Sequence, residues 1–446
     1  MQALETKLET LKTVGTSDAI AQHINSFLRN QNAPKLTKMS PYRLADDWGV
    51  DRREVLEAFL HGTRSGLFDM EWALRCPSCT GPTMTADHIS GLAHNGHCDY
   101  CTIDFDGALD ATVEITFQVS PEIRDVSGVS QIDMMNARNE LEPPKQMVVP
   151  AGETLEVVMT LDEGTWHLFD PSMVLASPLL VHGEPSSESQ EVVYTISGSG
   201  EGRGMRRGNE PRRPGTFTLR IVNDSLEPAT LLLARAVEVP WVSGASIACN
   251  QEFRDLFTNE LLDPDDSLAV RNLTFLFTDI KGSTELYERL GDSQAYALVK
   301  SHFRILTRLV RQHRGAIVKT IGDAVMATFT TSADAVAAFV EINDAFADFN
   351  RENEGRDDVI IKVGMHRGPC IAVTSNDRLD YFGRTVNTAA RIQGLSNGHD
   401  MVLSASCADD PICRGLIEGT GWREERFGAH LKGIAPDYPV VRLLPQ

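Results

Sequence analysis

The stretch Asn272-Leu-Thr-Phe-Leu-Phe-Thr-Asp-Ile-Lys-Gly-Ser-Thr284 constrains this chain more than any other. Leu273 to Phe277 are apolar and β-favouring, bounded by charge before and glycine after, which predicts a strand. Asp279 stands at its end. Gly282 allows a tight turn, and Ser283 or Thr284 is placed to cap a helix starting at Glu285-Leu-Tyr. A strand that runs through a glycine turn into a capped helix presents free backbone N–H groups at a positive dipole end. Such a corner suits phosphate, with a carboxylate beside it for a metal. An ordinary turn with a capping acid uses the same residues, so the stretch alone leaves both readings open.

A chain of 446 residues exceeds one typical core and implies two to four domains. Hydrophobic content of 42% and charged content of 23% are those of a soluble protein. No apolar run reaches membrane-spanning length, and Met1-Gln-Ala-Leu-Glu-Thr-Lys lacks the apolar core of a signal peptide. The expectation is a cytoplasmic protein with no membrane partner. A net charge of −20 argues against nucleic acid as a partner, because phosphate contacts need a basic footprint.

Residues 1–75 read as helical. Leu4, Leu8 and Leu11 share one face, and Ile20, Ile24, Phe27 and Leu28 another after the Gly15-Thr-Ser break. Ser40 to Gly49 and Asp51 to Gly62 read as a helix, a glycine turn and a second capped helix, like a helix-turn-helix or winged-helix unit. Glu54 and Glu57 on the second helix, without a basic stripe, count against DNA reading.

Residues 76–110 carry Cys76-Pro-Ser-Cys79 and Cys98-Asp-Tyr-Cys101, two Cys-x-x-Cys pairs with eighteen residues between them. Four thiolates on two tight turns make a closed tetrahedral shell, which predicts structural Zn²⁺ holding a knuckle with little core of its own. A redox pair is the alternative. His88, His94 and His97 lie between the pairs as further candidate ligands, although the cysteines already complete the shell.

Residues 111–249 read as a β-rich, sandwich-like regulatory region, from the alternation in 111–119, 154–161 and 216–222. The glycine- and arginine-rich segment 197–215 has nothing to bury and is expected to be an unstructured loop. Residues 250–271 read as a helix over Phe253 to Leu262 and a hinge at Asp263-Pro-Asp-Asp.

In 272–446 the pattern predicts a long amphipathic helix over 293–313 and a hairpin with Gly322-Asp323 at its tip. A helix over 333–349, a strand over 359–366 and a helix opening after Gly383 follow, the last with Asn387 and Arg391 one turn apart. Four ordered blocks then stand out: Phe277-Thr-Asp-Ile-Lys-Gly-Ser-Thr, Lys319-Thr-Ile-Gly-Asp323, Gly364-Met-His-Arg-Gly368 and Asp380-Tyr-Phe-Gly-Arg-Thr-Val-Asn-Thr-Ala-Ala-Arg391. Over 272–446 these resemble the class III nucleotidyl cyclases. The upstream region is similar to an uncharacterised segment found before some bacterial cyclases.

The resemblance implies an α+β fold, with a ferredoxin-like βαββαβ catalytic domain behind the helical unit, knuckle and β-sandwich. It implies conversion of ATP to 3′,5′-cyclic AMP and pyrophosphate, with two Mg²⁺ or Mn²⁺ ions per site held by Asp279, Asp323 and the Ile280 carbonyl. It assigns Lys281, Gly282, Ser283 and Thr284 to the β- and γ-phosphates, Arg391 to the α-phosphate and Asn387 to the ribose. Lys432, in a short Leu-Lys-Gly motif, is a further triphosphate contact. Lys319 and Asp380 match the residues that read the base, and their polarity suits adenine where guanylate cyclases carry Glu and Cys. The family works as a dimer with shared sites, so a homodimer is implied. The stretch Gly368 to Asp380 is short for the family's dimer arm. A guanylate cyclase, or a catalytically silent nucleotide-binding module, is the competing reading.

Overall fold

The computed structural model describes residues 2–77, 80–98, 103–129, 145–169, 176–198, 204–207, 212–235, 239–352, 359–434 and 437–445. They divide into two compact units. The first comprises 1–85, 95–106 and 116–241, the second 86–94, 107–115 and 242–446. No helix among the described residues is long and apolar enough to cross a membrane.

The first unit opens with helices α1 (Gln2–Thr13), α2 (Asp18–Asn30), α3 (Pro41–Trp48) and α4 (Arg52–Arg64). Ser17 caps α2, whose buried face is Ile20, Ala21, Ile24 and Leu28. Gly49 ends α3 in the left-handed region at φ +66°, and the Asp51 carboxylate then accepts the Arg53 and Glu54 N–H groups to start α4. The helix pair therefore exists. Its basic residues are engaged by acids, Arg52 with Asp46 through two contacts of 2.8 and 2.7 Å and Arg53 with Glu57 at 2.8 Å.

Strands β1 (Phe68–Arg75) and β2 (Pro82–Ala86) follow, then the small hairpin of β3 (Asn95–Cys98) and β4 (Ile103–Asp106). Buried Cys76 and Cys98 pack together with Ile103 and Phe105, while Cys79 and Cys101 lie outside the described residues. No group of three or more His, Cys, Asp or Glu side chains gathers as a metal shell among the described residues. His97 faces Asp104 at 2.7 Å.

After β5 (Val113–Val119) come β6 (Lys145–Val149), β7 (Thr154–Leu161), β8 (Gly164–Phe169), β9 (Ala176–Val181), β10 (Ser186–Ser197), β11 (Gly204–Arg207), β12 (Gly215–Asn223) and β13 (Ala229–Arg235). They form two four-stranded sheets, ordered β11-β10-β12-β7 and β6-β13-β8-β9. Alternate residues such as Val192, Tyr194 and Ile196, or Phe217, Leu219 and Ile221, meet Leu231 and Leu233 in one shared core. This is a β-sandwich. Buried Asn223 ties one corner, donating from Nδ2 to the carbonyls of Val149, Pro150 and Glu227 at 3.0, 3.1 and 2.9 Å. The loop expected over 197–215 needs correction. Residues 204–207 pair antiparallel with the edge of β10, from Ser197↔Gly204 to Tyr194↔Arg207, because ladder bonds satisfy a polar backbone without apolar side chains. The flanking 199–203 and 208–211 lie outside the described residues.

The second unit contains β14 (Val242–Ser243), α5 (Gly244–Ala248), α6 (Gln251–Leu256), β15 (Ser267–Ile280), α7 (Ser283–Leu290), α8 (Asp292–Gln312), β16 (Ala316–Ile321) and β17 (Ala324–Phe329). Next are α9 (Ser332–Glu352), β18 (Ile361–Ser375), β19 (Arg378–Phe382), α10 (Arg384–Gln393), β20 (Met401–Ser404), α11 (Ala405–Ala408), α12 (Pro411–Thr420), β21 (Arg423–Ala429) and β22 (Tyr438–Leu444). One sheet runs β16-β17-β15-β18-β20-β22-β21, with β19 on the far half of β18. Helices α8 and α9 bury Val299, Leu306, Val336 and Phe339 against one face through Leu276, Ala327 and Val363. Helix α10 lies against β18 and β15.

Three expectations change here. The helix expected over 253–262 ends at Leu256, because tertiary partners claim the residues beyond it. The Glu260 carboxylate accepts Ile89 N–H at 3.1 Å and faces His88 at 2.7 Å, and the Leu262 carbonyl accepts Thr374 Oγ1–H at 2.7 Å. His94 faces Asp266 at 2.8 Å, so all three histidines between the cysteine pairs are held by carboxylates. The central strand begins at Ser267 rather than Leu273. A bulge between Val270 and Leu273 absorbs polar Arg271 and Asn272, whose N–H groups are taken by the Asp110 carboxylate at 2.9 and 3.0 Å. Strand β18 continues past His366 to Ser375 and turns on Asn376 and Asp377, both left-handed at φ 51° and 53°, straight into β19. A two-residue turn explains why the stretch after Gly368 is short.

Candidate active site

Leu273 to Thr278 are all buried, so β15 delivers the next residue, Asp279, to a half-buried strand end. The antiparallel register with β17 sets Thr278 opposite Val325. Two residues further along each strand, Ile280 meets the hairpin tip, and its N–H donates to Asp323 Oδ2 at 3.2 Å. Gly322, at φ +64°, makes that tip possible. Two carboxylates thus converge at one strand end. Burial, and then the neighbouring Asp323 charge, push the Asp279 carboxyl above its ordinary range. Lys362, its register partner on β18, pulls the other way.

The turn beyond differs from expectation. Neither Ser283 nor Thr284 caps a helix at Glu285; Gly282, at φ +68°, is itself the N-cap and α7 starts at Ser283. No side chain caps α7, so its first-turn N–H groups remain open at the positive end of the dipole. Lys281 is anchored by its N–H to the Ile360 carbonyl at 2.8 Å, and its side chain runs alongside Gly398.

A second group forms around β16, β19 and α10. Lys319 Nζ meets Asp380 Oδ2 at 2.5 Å, with Asp380 buried and Lys319 partly exposed. Asp380 Oδ1 accepts the Tyr381 N–H at 2.8 Å, which fixes the carboxylate. A bulge between Ile317 and Lys319 re-aims the lysine, and Gln251 Oε1 accepts the Ile317 N–H at 2.7 Å. Helix α10 packs directly on β18 because a Cβ at Gly364 would stand 2.1 Å from the Gln393 backbone, and one at Gly368 would stand 2.9 Å from Thr385. That close approach accounts for the spacing of Gly364-Met-His-Arg-Gly368. It leaves Asn387 and Arg391 on the exposed face of α10. The Arg391 guanidinium lies about a side-chain contact, 3.5 Å, from where a Cβ of Gly433 would be, at the residue after exposed Lys432.

The chain therefore gathers Asp279, Ile280 and Asp323 in one group and Lys319 and Asp380 in another, while Arg391 lies near Gly433. Among the described residues no hydrogen bond or ion pair joins the first group to Lys319, Asp380 or Arg391.

Residues 267–409 match the family described as adenylate and guanylate cyclase catalytic domain, and residues 1–139 match a family of unknown function (DUF5939). The C-terminal unit carries a class III cyclase catalytic domain. Among curated relatives of the cyclase domain, adenylate cyclase 2 of Rhizobium meliloti is 30% identical over 203 residues, 43% of this chain and 54% of that protein. The adenylate cyclase of Lachancea kluyveri is 32% identical over 164 residues, 32% of this chain and 9% of that protein. This chain thus spans from under a tenth to about half of these relatives. Among solved structures, the adenylyl cyclase CyaB from P. aeruginosa is 21% identical, with a TM-score of 0.36 over 41% of this chain and 97% of that one.

Sequence reasoning missed two residues around the cyclase domain's site. Lys362 carries no motif, and only strand register sets it opposite Asp279. Gln251 lies on a short helix outside the four blocks, and nothing in its sequence points to β16. His366 is bonded to Ser404 Oγ at 2.9 Å and pushed down to about 4 by burial, so it is a neutral imidazole held in place by packing. The Cys249, Cys370 and Cys413 thiols are pushed up to about 11, 12 and 12 by burial, which keeps them protonated.

Proposed function

We propose that this chain is an adenylate cyclase, converting ATP to 3′,5′-cyclic AMP and pyrophosphate as a homodimer, with its N-terminal unit regulatory. The observation that carries the reading is the register that brings the Asp323 carboxylate to the Ile280 N–H beside Asp279. Two half-buried like charges, one with a raised pKa, form an all-oxygen donor set of the kind Mg²⁺ or Mn²⁺ occupies, with the Ile280 carbonyl as a third ligand. When bound, such ions supply Lewis acidity for the ribose 3′-hydroxyl and charge neutralisation for the triphosphate.

The chain's own residues do the rest. The open N–H groups of Gly282 to Thr284 bind the β- and γ-phosphates, aided by the α7 dipole and by the Lys281 ammonium. Arg391 offers its guanidinium to charge developing on the α-phosphate, and Lys432 to the leaving pyrophosphate. Asn387, one helical turn before Arg391, orients the ribose. Lys319 donates to an adenine ring nitrogen and Asp380 accepts from the exocyclic amine. Their mutual ion pair keeps both satisfied until a base arrives. Among the described residues Asp279 and Asp323 bond to none of these groups within one chain, which supports sites completed by a second copy. The packing of Cys76 with Cys98 supports a Cys₄ zinc knuckle together with Cys79 and Cys101.

The test is product formation by the full-length protein from ATP and from GTP, with Mg²⁺ and with Mn²⁺. Cyclic AMP from ATP, and little from GTP, is expected, and Lys319→Glu/Asp380→Cys should lose the ATP preference. Cyclic GMP from the wild type would overturn the base assignment. Mixing Asp279→Ala with Arg391→Ala chains should restore activity through one intact site; mixed dimers without activity would refute the shared site.

A further inference from the structure

We infer that the second unit has a separate site for a small polyanion, in the groove between α6 and α8. The groove is open to solvent on one side and has a volume of about 480 Å³, within the range of small-molecule sites. Lys300, Arg304 and Arg308 line it at successive turns of α8, followed by Arg311, with Gln251 and Asp255 across from them on α6. Arg311 is held by Glu252 at 2.5 Å. Lys300, Arg304 and Arg308 are exposed, and no ion-pair partner lies within 4.0 Å of them among the described residues.

That arrangement is unusual here. The chain has 62 acidic and 42 basic residues, yet three successive exposed turns of one helix bring cations and no acid into the groove, beside Phe303 and Thr307. Like charges four residues apart disfavour a helix, and an anion bridging them removes that repulsion. The one acid lining the groove, Asp255, is already an acceptor for Gln251 Nε2–H at 2.9 Å. Two arginine forks and a lysine spaced along one wall suit a ligand bearing two or more phosphate-type groups.

The groove also has a route to the proposed base-reading residues. The Gln251 side chain that borders it holds the Ile317 N–H of β16, next to the bulge that aims Lys319. A polyanion that fixes α6 therefore fixes Lys319. This consequence rests on the cyclase reading, whereas binding itself does not.

The experiment is calorimetric titration of the full chain with inorganic tripolyphosphate, without divalent ions. Three proteins are compared: the wild type, Arg304→Ala/Arg308→Ala, and Arg391→Ala/Lys432→Ala. The wild type should bind. The first double variant should bind at least about tenfold more weakly, since each charge-assisted bond is strong. The second, altered at the proposed nucleotide site, should keep the groove's affinity. Arg304 and Arg308 are exposed and repel each other, so a Tm no lower than the wild type's is expected for their variant. No binding by the wild type, or loss confined to the Arg391/Lys432 variant, would overturn the site. A protein that makes no cyclic nucleotide leaves this readout intact, so the two readings fail separately.

Discussion

The sandwich of the first unit and the sheet of the second bury their strands by different means. In the sandwich, strands such as β10 and β12 have one wet and one dry face, and the dry faces of two sheets meet in a core built from apolar side chains. In the second unit β15 is covered on both faces, by α8 and α9 on one side and α10 on the other, so its middle is apolar throughout. A strand covered on both faces carries whatever stands at its end into a half-buried place. Buried charge is accordingly concentrated in this unit: Glu260, Asp380 and Asp400 are nearly inaccessible, and Asp279 is held above its ordinary range. The sandwich uses its buried residues for an apolar core, whereas the second unit also buries charged side chains, at a cost in stability.

The largest contrast is between Asp279→Ala and Phe217→Ala. The first should lower kcat by about 10³ or more, because it removes one of the two carboxylates among the proposed metal ligands. It should cost no stability, and Asp279→Asn should raise Tm at neutral pH. A carboxyl whose folded pKa is raised opposes folding once pH exceeds its unfolded value, and increasingly as pH rises through the folded value. The gain should therefore vanish in acid below the unfolded pKa. Phe217, wholly buried in the sandwich, should cost about 3–5 kcal/mol when truncated, with far less effect on kcat per folded molecule. Urea melts and initial rates on the same samples check both halves. A stabilised Phe217→Ala or a destabilised Asp279→Asn would erase the contrast.

Gly364→Ala should come next. The added methyl meets the Gln393 backbone, so α10 must shift, and a displacement near 1 Å at Arg391 should lower kcat by about 10². Gly152, at a sandwich turn, has open space around it, and its alanine variant should leave kcat unchanged while the φ of +71° costs some stability. Equal kcat losses in the two variants would mean that close packing of α10 is not what positions Arg391.

The smallest effect is in acid. His302 and His366 in the second unit, and His167 in the first, are pushed down to about 4 by burial. Their depressed pKa values contribute stability that is complete above the ordinary value near 6.5 and is lost as pH falls from there towards 4. Tm should fall over that window, and His302→Leu should flatten the slope more than a substitution at exposed His182. An unchanged slope in His302→Leu would remove His302 from the account.

Much of this was legible from the chain alone, for a definable reason. The hairpin around Gly322-Asp323, the long helix from residue 292 and the strand 154–161 obey short-range periodicities that sequence displays directly. Three of the four blocks hold Asp279, Asp323, Lys319, Asp380, Asn387 and Arg391, and they were visible because each is a short local pattern built around a glycine, Gly282, Gly322 or Gly383. What went astray depended on partners distant in sequence. The helix after Phe253 stopped early because His88, Ile89 and Thr374 claim its continuation, and part of the segment 197–215 became a strand because β10 offers an edge.

By itself the sequence determined which residues carry charge, where the chain can turn and which strands must be buried, because these follow from side-chain chemistry and local backbone sterics. Only the tertiary structure decided that Asp323 reaches Ile280, that Lys319 pairs with Asp380, and that Gln251 holds β16. Those pairings depend on strand register and on the closeness of helix to sheet, and both are settled by the whole core packing at once.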